Sequence, residues 1–282
     1  MTTACLICGG ALDRTLLEIA EPDRFERHCG VSALHYLRRW VECQDCGAAN
    51  NVLPANSREA LGELRSSYYE VDLSGGDVNA KYQMVMGLPP EQSDNWHRVR
   101  RVHSFLAGWQ DSPRGRQRVM DIGAGTGVFL SRFLEPSADV WEAIAVEPDP
   151  TAARHLRSLG KFTVRDELFE GQPTLRDFNL VTLNKVLEHI EHPVDVLRSV
   201  GHALSADGIV YVEVPDKLTI KLRPPTDNIL GALHFHLYHP RSLAGLLERA
   251  GLEPLQIERV FEPSGKISVF GFACLPEAIS RR

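Results

Sequence analysis

Val119-Met120-Asp121-Ile122, running straight into Gly123-Ala124-Gly125-Thr126-Gly127, is the stretch that decides the fold. The first four residues read as a short apolar strand. The glycines form a tight loop, and Val128, Phe129, Leu130 and Phe133 then open a helix. That order aims backbone N–H groups at a ligand. The dinucleotide fingerprint is G-x-G-x-x-G, whereas the spacing here is G-x-G-x-G with Val128 in the sixth place. No Gly-Lys-Ser/Thr follows, so the Walker loop is excluded as well. Asp121 stands two places before the first glycine. A carboxylate there repels pyrophosphate and suits a ligand carrying an ammonium and a sulfonium. Glu147 ends the next strand, 26 residues after Asp121, where a carboxylate can accept both ribose hydroxyls.

Outward from this loop the chain alternates strand and helix. Ala143–Val146, Phe162–Val164, Leu180–Leu183 and Ile209–Val214 read as further strands, the last preceded by a turn at Asp207-Gly208. Between them lies a helix through Ala152, Leu156 and Leu159. This alternation implies an α/β fold with a parallel sheet covered on both faces. The end differs. Leu255–Phe261 and Ile267–Cys274 flank Glu262-Pro263-Ser264-Gly265-Lys266, which predicts an antiparallel hairpin closing one sheet edge.

These residues resemble a known family. Val119–Gly127 is similar to motif I of the class I S-adenosylmethionine-dependent methyltransferases. Asn184-Lys185-Val186-Leu187-Glu188-His189-Ile190 resembles their segment after the fourth strand, in the branch with a Leu-Glu-His signature. Ser242–Leu252 resembles that branch's late helix. The resemblance implies a Rossmann-like seven-stranded sheet with its last strand antiparallel. It also implies S-adenosylmethionine as cofactor, with Asp121, Gly123, Gly125, Gly127, Glu147, Asp166 and Asn184 around it.

Six cysteines add a second element. Cys5-Leu6-Ile7-Cys8 and Cys43-Gln44-Asp45-Cys46 are two C-x-x-C pairs, each followed by glycine. A redox C-x-x-C opens a helix after a strand and does not come twice with trailing glycines. Two such knuckles make a closed four-thiolate zinc site, so Cys5, Cys8, Cys43 and Cys46 are expected to hold a structural Zn²⁺. The 34 residues between Cys8 and Cys43 must then carry structure of their own. Cys29 and Cys274 read as packing residues. The expected organisation is a zinc-binding module over 1–56, a helical connector or lid over 57–110, and the methyltransferase domain over 111–282. In the connector, Ser57 is expected to cap a helix and Ser93-Asp94-Asn95 to start another. Tyr68, Tyr69 and Tyr82 are placed to lid the pocket, and the arginines at 98, 100, 101, 114, 116 and 118 read as a solvated face.

The zinc module makes the chain similar to methyltransferases of nucleotide-linked deoxysugars. Aligned on Ser242-Leu243, the catalytic His of their C-methylating members falls at His234, but Leu233 stands where they carry Glu. O- or N-methylation of a sugar is therefore the more open reading. A hydroxyl needs a base, and imidazole is the side chain nearest neutrality. His234, His236 and His239 cluster in sequence, and His189 follows the fourth strand; His234 is the first choice, with His189 and His236 beside it. Lys217, Lys221 and Arg223 are candidates for a substrate phosphate.

Composition sets the partners. The chain has 282 residues, a net charge of −6 and 24% charged residues. The acidic balance, with Asp13, Glu18, Glu21, Asp23 and Glu26 near the start, disfavours nucleic acid. No apolar run is long enough for a membrane span, and no secretory signal opens the chain, so a cytoplasmic enzyme with a small-molecule partner is expected. The rival readings are an RNA methyltransferase gripping RNA with the zinc module, and a non-catalytic adaptor that kept the fold.

Overall fold

The computed structural model describes residues 4–62, 77–109 and 115–281. Tyr68, Tyr69 and Arg114 lie outside them. The chain begins with strand β1 (Leu12–Ile19), a short helix α1 (Arg24–His28), β2 (Arg38–Cys43) and β3 (Ala49–Val52). Asp23 caps α1 by accepting from the Phe25 and Glu26 amides, and Glu26 answers the Asp23 amide to complete a capping box. The insert between the cysteine pairs thus carries β1, α1 and most of β2. Helix α2 (Ala55–Gly62) starts two residues before Ser57, which is buried inside its first turn rather than capping it.

Helix α3 (Val78–Met86) is capped by Asp77, and α4 (Asp94–Trp109) begins where Ser93 Oγ accepts from the Trp96 amide. The alternating part follows: β4 (Gln117–Ile122), α5 (Val128–Leu134), β5 (Trp141–Val146), α6 (Pro150–Leu159), β6 (Thr163–Arg165), β7 (Phe178–Asn184), α7 (Pro193–Ala203) and β8 (Leu204–Pro215). Asp207-Gly208 is no free turn. It lies inside β8, where the register against β7 shifts between Phe178 and Leu180. Then come α8 (Thr219–Leu222), β9 (His236–Leu237), α9 (Pro240–Arg249), β10 (Glu253–Phe261), β11 (Ile267–Cys274) and α10 (Pro276–Ser280).

Seven strands form one sheet in the order β10-β11-β8-β7-β4-β5-β6. The β4–β8 pairings are parallel, and β11 runs antiparallel between β8 and β10. The predicted α/β sheet with its last strand antiparallel is therefore present. Alternation along each strand feeds two cores. Met120, Ile122, Ile144 and Val146 pack with Leu197 and Val200 of α7 and Leu243, Leu246 and Leu247 of α9. Val119, Ala143 and Ala145 pack with Val102 of α4, Phe133 of α5 and Leu156 of α6.

The N-terminal strands are stitched to this body. They form a second sheet, β1-β2-β3-β9, whose last strand comes from the chain after β8, with Ala49 opposite Leu237 and Asn50 opposite His236. The buried Asn51 side chain donates to the carbonyls of Gly231 and His234, at 3.1 and 2.8 Å. Arg38 and Trp40 both donate to the Leu230 carbonyl. Cys5, Ile7 and Cys43 share a core with Leu187 and Tyr238.

Candidate active site

The C-terminal ends of β4, β5, β7 and β8 lie side by side at one edge of the sheet, the usual place for a ligand in an open α/β sheet. Asp121, on β4, is 2% exposed. Burial raises its pKa to about 7, against the Thr182 hydroxyl (2.6 Å) and the Asn184 amide (3.0 Å), both donating to Oδ1. Asn184 Oδ1 is buried and has no hydrogen-bond partner among the described residues. An ionised Asp121 beside an orphaned carbonyl oxygen is a pair of acceptors awaiting a cationic donor.

The glycine loop holds its shape for steric reasons. Gly123 has φ +67°, and a Cβ there would come 2.7 Å from Val186. Gly127 has φ +77°, and a Cβ would come 2.6 Å from Leu156. No other residue takes that backbone at so little cost. Glu147 closes the loop: one oxygen accepts from the Gly125 amide at 2.8 Å and the other from Asp149 at 2.9 Å. Burial raises its pKa above the usual carboxylate value. Each oxygen retains lone-pair capacity for a further donor such as a ribose hydroxyl. Asp166 is not brought into this group. It is exposed and its carboxylate pairs with Arg157 at 2.7 Å.

Tyr82 is no lid either: it is buried, its hydroxyl within 3.0 Å of Ser131 Oγ on α5 and 3.1 Å from the ammonium of Lys161.

The histidines separate. His189 and His234 meet edge to face, ring centroids 4.5 Å apart. His189 Nδ1 lies 3.1 Å from the Leu233 carbonyl and His234 Nδ1 2.7 Å from the Ile229 carbonyl. A carbonyl only accepts, so both Nδ1 atoms carry the proton and Nε2 carries the lone pair. Burial, then the neighbouring His189, lowers the His234 pKa well below the usual value. His236 does not join them. It is buried on β9, with Nε2 3.3 Å from the Glu191 carbonyl and its pKa lowered to about 4 by burial. It stands on the two-residue strand β9, outside the His189–His234 pair, with Nδ1 buried and without a partner among the described residues. His239 caps α9, accepting from the Arg241 amide at Nδ1.

Glu188 was not anticipated. It is 1% exposed, its Oε2 has no partner among the described residues, and it clusters with His189 and His234. Burial raises its pKa to about 8. The carboxylate absent from position 233 thus reaches His234 from another element. The only sequence signal for it was its place in the Leu-Glu-His signature.

Beneath this cluster, Arg98 of α4 pairs with Glu213 and Glu262, and Lys185 pairs with Glu262, Glu213 and Ser268. Burial opposes the charge of Glu213, but Arg98 and Lys185 outweigh it and hold its pKa well below the usual range. Lys185 adopts φ +60°, a strained backbone right after Asn184. Of the phosphate candidates, Lys217 is spent on Glu42 and the Gly47 carbonyl of the N-terminal module, and Arg223 pairs with Asp227.

The four cysteines come together as expected. Cys5 and Cys46 Sγ are 3.7 Å apart and Cys8 and Cys43 Sγ 3.4 Å. A tetrahedron of thiolates about 2.3 Å from zinc has edges of about 3.8 Å, so the donor set and spacing fit that ion. The Gly10 amide and the Asn50 side chain donate to Cys8 and Cys5, as second-layer partners of thiolates do.

A methyltransferase domain model matches residues 92–257, more than half of the chain. The chain belongs to the methyltransferase domain family. The match begins just before α4 and so takes in the strand ends described above. The tRNA U34 carboxymethyltransferase of Aeromonas salmonicida is 27% identical over 157 residues, covering 52% of this chain and 47% of that protein. The ubiquinone biosynthesis O-methyltransferase of Actinobacillus pleuropneumoniae is 23% identical over 103 residues, covering 34% of this chain and 44% of that protein. The chain spans about half the length of the curated relatives it matches. The structure of Burkholderia thailandensis 1,6-didemethyltoxoflavin-N1-methyltransferase, with substrate and S-adenosylhomocysteine bound, shares the fold at TM-score 0.56 and 19% identity, covering 84% of this chain and 94% of that one. No helix among the described residues is long and apolar enough to cross a membrane.

Proposed function

We propose that this methyltransferase domain uses S-adenosylmethionine to methylate an oxygen or nitrogen of a small molecule, most simply a sugar or nucleotide-linked sugar. The observation that carries the reading is the buried Asp121 carboxylate beside the orphaned Asn184 oxygen, under a glycine loop closed by Glu147. Bound there, the cofactor supplies a methyl group on a sulfonium with a neutral leaving group. Asp121 and Asn184 would hold its ammonium, the loop of Gly123, Gly125 and Gly127 would let it approach the backbone, and Glu147 would take its ribose. Asp166 keeps at most a place at the rim. On the acceptor side, His234 takes the acceptor's proton at Nε2, with His189 against it. Holding the acceptor in line contributes several kcal/mol, and a positioned base about 10²–10⁴-fold.

The N-terminal module is read as a structural zinc site on Cys5, Cys8, Cys43 and Cys46. It acts as a scaffold for residues 229–238, and the thiolate set fits a reducing, cytoplasmic setting. Residues 1–56, 57–110 and 111–282 remain the working division, with β9 tying the first to the third. The RNA reading is kept because of the tRNA-modifying relatives. Part of the acidic N-terminal block is internal: Asp23 caps α1 and Glu26 is buried against Tyr36.

Calorimetry with S-adenosylmethionine tests the cofactor reading, and methyl transfer from labelled cofactor to nucleotide sugars, free sugars and small RNAs tests the acceptor. Stoichiometric binding with turnover on a sugar is expected. Binding without turnover on any acceptor supports the adaptor, and turnover on RNA alone replaces the sugar.

A further inference from the structure

The base assigned above does not stand alone. His189 and His234 abut, each with Nδ1 facing a backbone carbonyl, which leaves Nε2 of His234 to take a proton. The Glu188 carboxylate belongs to the same cluster of ligand atoms, all within 4.8 Å of one another. It is 1% exposed, and Oε2 has no partner among the described residues. A buried carboxylate oxygen without a donor, set beside two imidazoles, is a costly arrangement unless a proton or a cation visits it.

We propose that Glu188, His189 and His234 form one proton-sharing unit, in which Glu188 is the positioning residue that acts through the imidazoles. The inference rests on the methyltransferase reading of this site. When the acceptor's O–H or N–H bond breaks, the electron pair stays on the acceptor and the proton adds to the Nε2 lone pair of His234. The imidazolium then lies in the same cluster as the Glu188 carboxylate, which supports its charge through space while Nδ1–H stays on the Ile229 carbonyl. Above its transition Glu188 is ionised, and that negative charge makes His234 a stronger base.

The surroundings agree. Burial raises Glu188 to about 8; the Lys185 and Arg98 charges oppose that and Glu213 adds to it. His234 is faced by His189, Lys185 and, from β2, Arg38, all of which lower it alongside burial. Asp23 is the other carboxylate nearby, and it is engaged by Arg38 and by the Ala232 amide, so Glu188 is the carboxylate of this cluster placed to act on His234. Interacting groups of this kind titrate together rather than singly.

Two readouts test the proposal on the full chain. The first needs neither cofactor nor acceptor: imidazole resonances of His189 and His234 followed by NMR against pH. In the wild type they should show an inflection near the Glu188 transition, absent from Glu188→Gln and restored, at shifted pH, in Glu188→Asp. The second is the pH profile of turnover. The wild type should gain rate through that transition, and E188Q should lose the gain and fall about 10- to 100-fold, on the scale of one base-supporting group. Affinity for S-adenosylmethionine should be unchanged in both variants, so a failure of cofactor binding in the wild type would sink the functional reading, whereas the histidine titrations report on the Glu188 coupling separately. Histidine titrations identical in wild type and E188Q would overturn the proposal. So would one equivalent of a divalent ion, beyond that held by the cysteines, present in wild type and missing from E188Q, since a metal would occupy the Nε2 lone pairs.

Discussion

At one end of the site, Asp121, the glycine loop and Glu147 come from a single run of chain, and strand pairing of β4 with β5 and β7 sets their spacing. At the other end, Glu188 and His189 meet His234 from 46 and 45 residues away. That meeting depends on a two-residue strand, on Asn51, and on a module at the far N-terminus. The first end is held by local backbone geometry inside the main sheet. The second is held by tertiary contacts that cross between two sheets. The cofactor end should therefore be robust to damage elsewhere, and the acceptor end should be sensitive to it.

The largest test of that contrast is metal removal. Structural zinc sites contribute about 10–16 kcal/mol in isolated zinc peptides. Stripping the proposed zinc with a chelator, or substituting Cys43→Ser, should melt the β1-β2-β3-β9 sheet first. Amide exchange should speed up across 229–238 while β4–β8 stay protected and S-adenosylmethionine still binds. Uniform loss of protection would erase the distinction between the two ends.

Next in size is Arg98→Ala. It takes the guanidinium from the buried Glu262 and one of two from Glu213, which keeps Arg101, while Lys185 stays on both. Breaking such a buried pair costs about 3–5 kcal/mol, read as a lower unfolding midpoint in denaturant. Because Arg98 lies under both ends, both should weaken; an effect confined to one would show the network serves that end alone.

Asp121→Asn tests the cofactor end. Thr182 and Asn184 both donate to Oδ1, and asparagine keeps that oxygen. Losing one charge-assisted contact, about 1.5–3 kcal/mol, should weaken S-adenosylmethionine about 10- to 100-fold. Stability should move the other way. The folded Asp121 pKa is about 7, above the unfolded value of about 4. The folded state keeps a proton the unfolded chain has released, so this group lowers stability as pH rises from about 4 to about 7, with no further change above. D121N should remove that part of the slope and be the more stable protein at pH 8. Equal stability there would mean that Asp121 is not held near neutrality.

The smallest effect is His239→Ala. Losing this helix cap should cost about 1 kcal/mol, seen as a slightly lower melting temperature with cofactor affinity intact. A loss of turnover larger than that would return His239 to the acceptor site.

The same contrast explains what was legible before the structure. Motif I could be read because its residues are contiguous and its glycines answer a backbone demand that no other residue meets cheaply, as Gly123 against Val186 shows. The meeting of Cys5, Cys8, Cys43 and Cys46 could be read because the spacing of the pairs is itself the signal. Glu188 could not be read as a partner of His234, because nothing local joins them. The three histidines are close in sequence, but the fold parts them: His234 meets His189, His236 lies on β9 and His239 caps α9. Lys217 looked free on a loop, and only the fold shows that Glu42 and Gly47 claim it.

The most direct measurement of the central claim is titration calorimetry of S-adenosylmethionine into wild type, D121N and His234→Ala. The account predicts one-to-one binding by the wild type, affinity weakened about 10- to 100-fold or lost in D121N, and wild-type affinity in H234A. No binding by the wild type, equal binding by D121N, or loss of binding in H234A would contradict it.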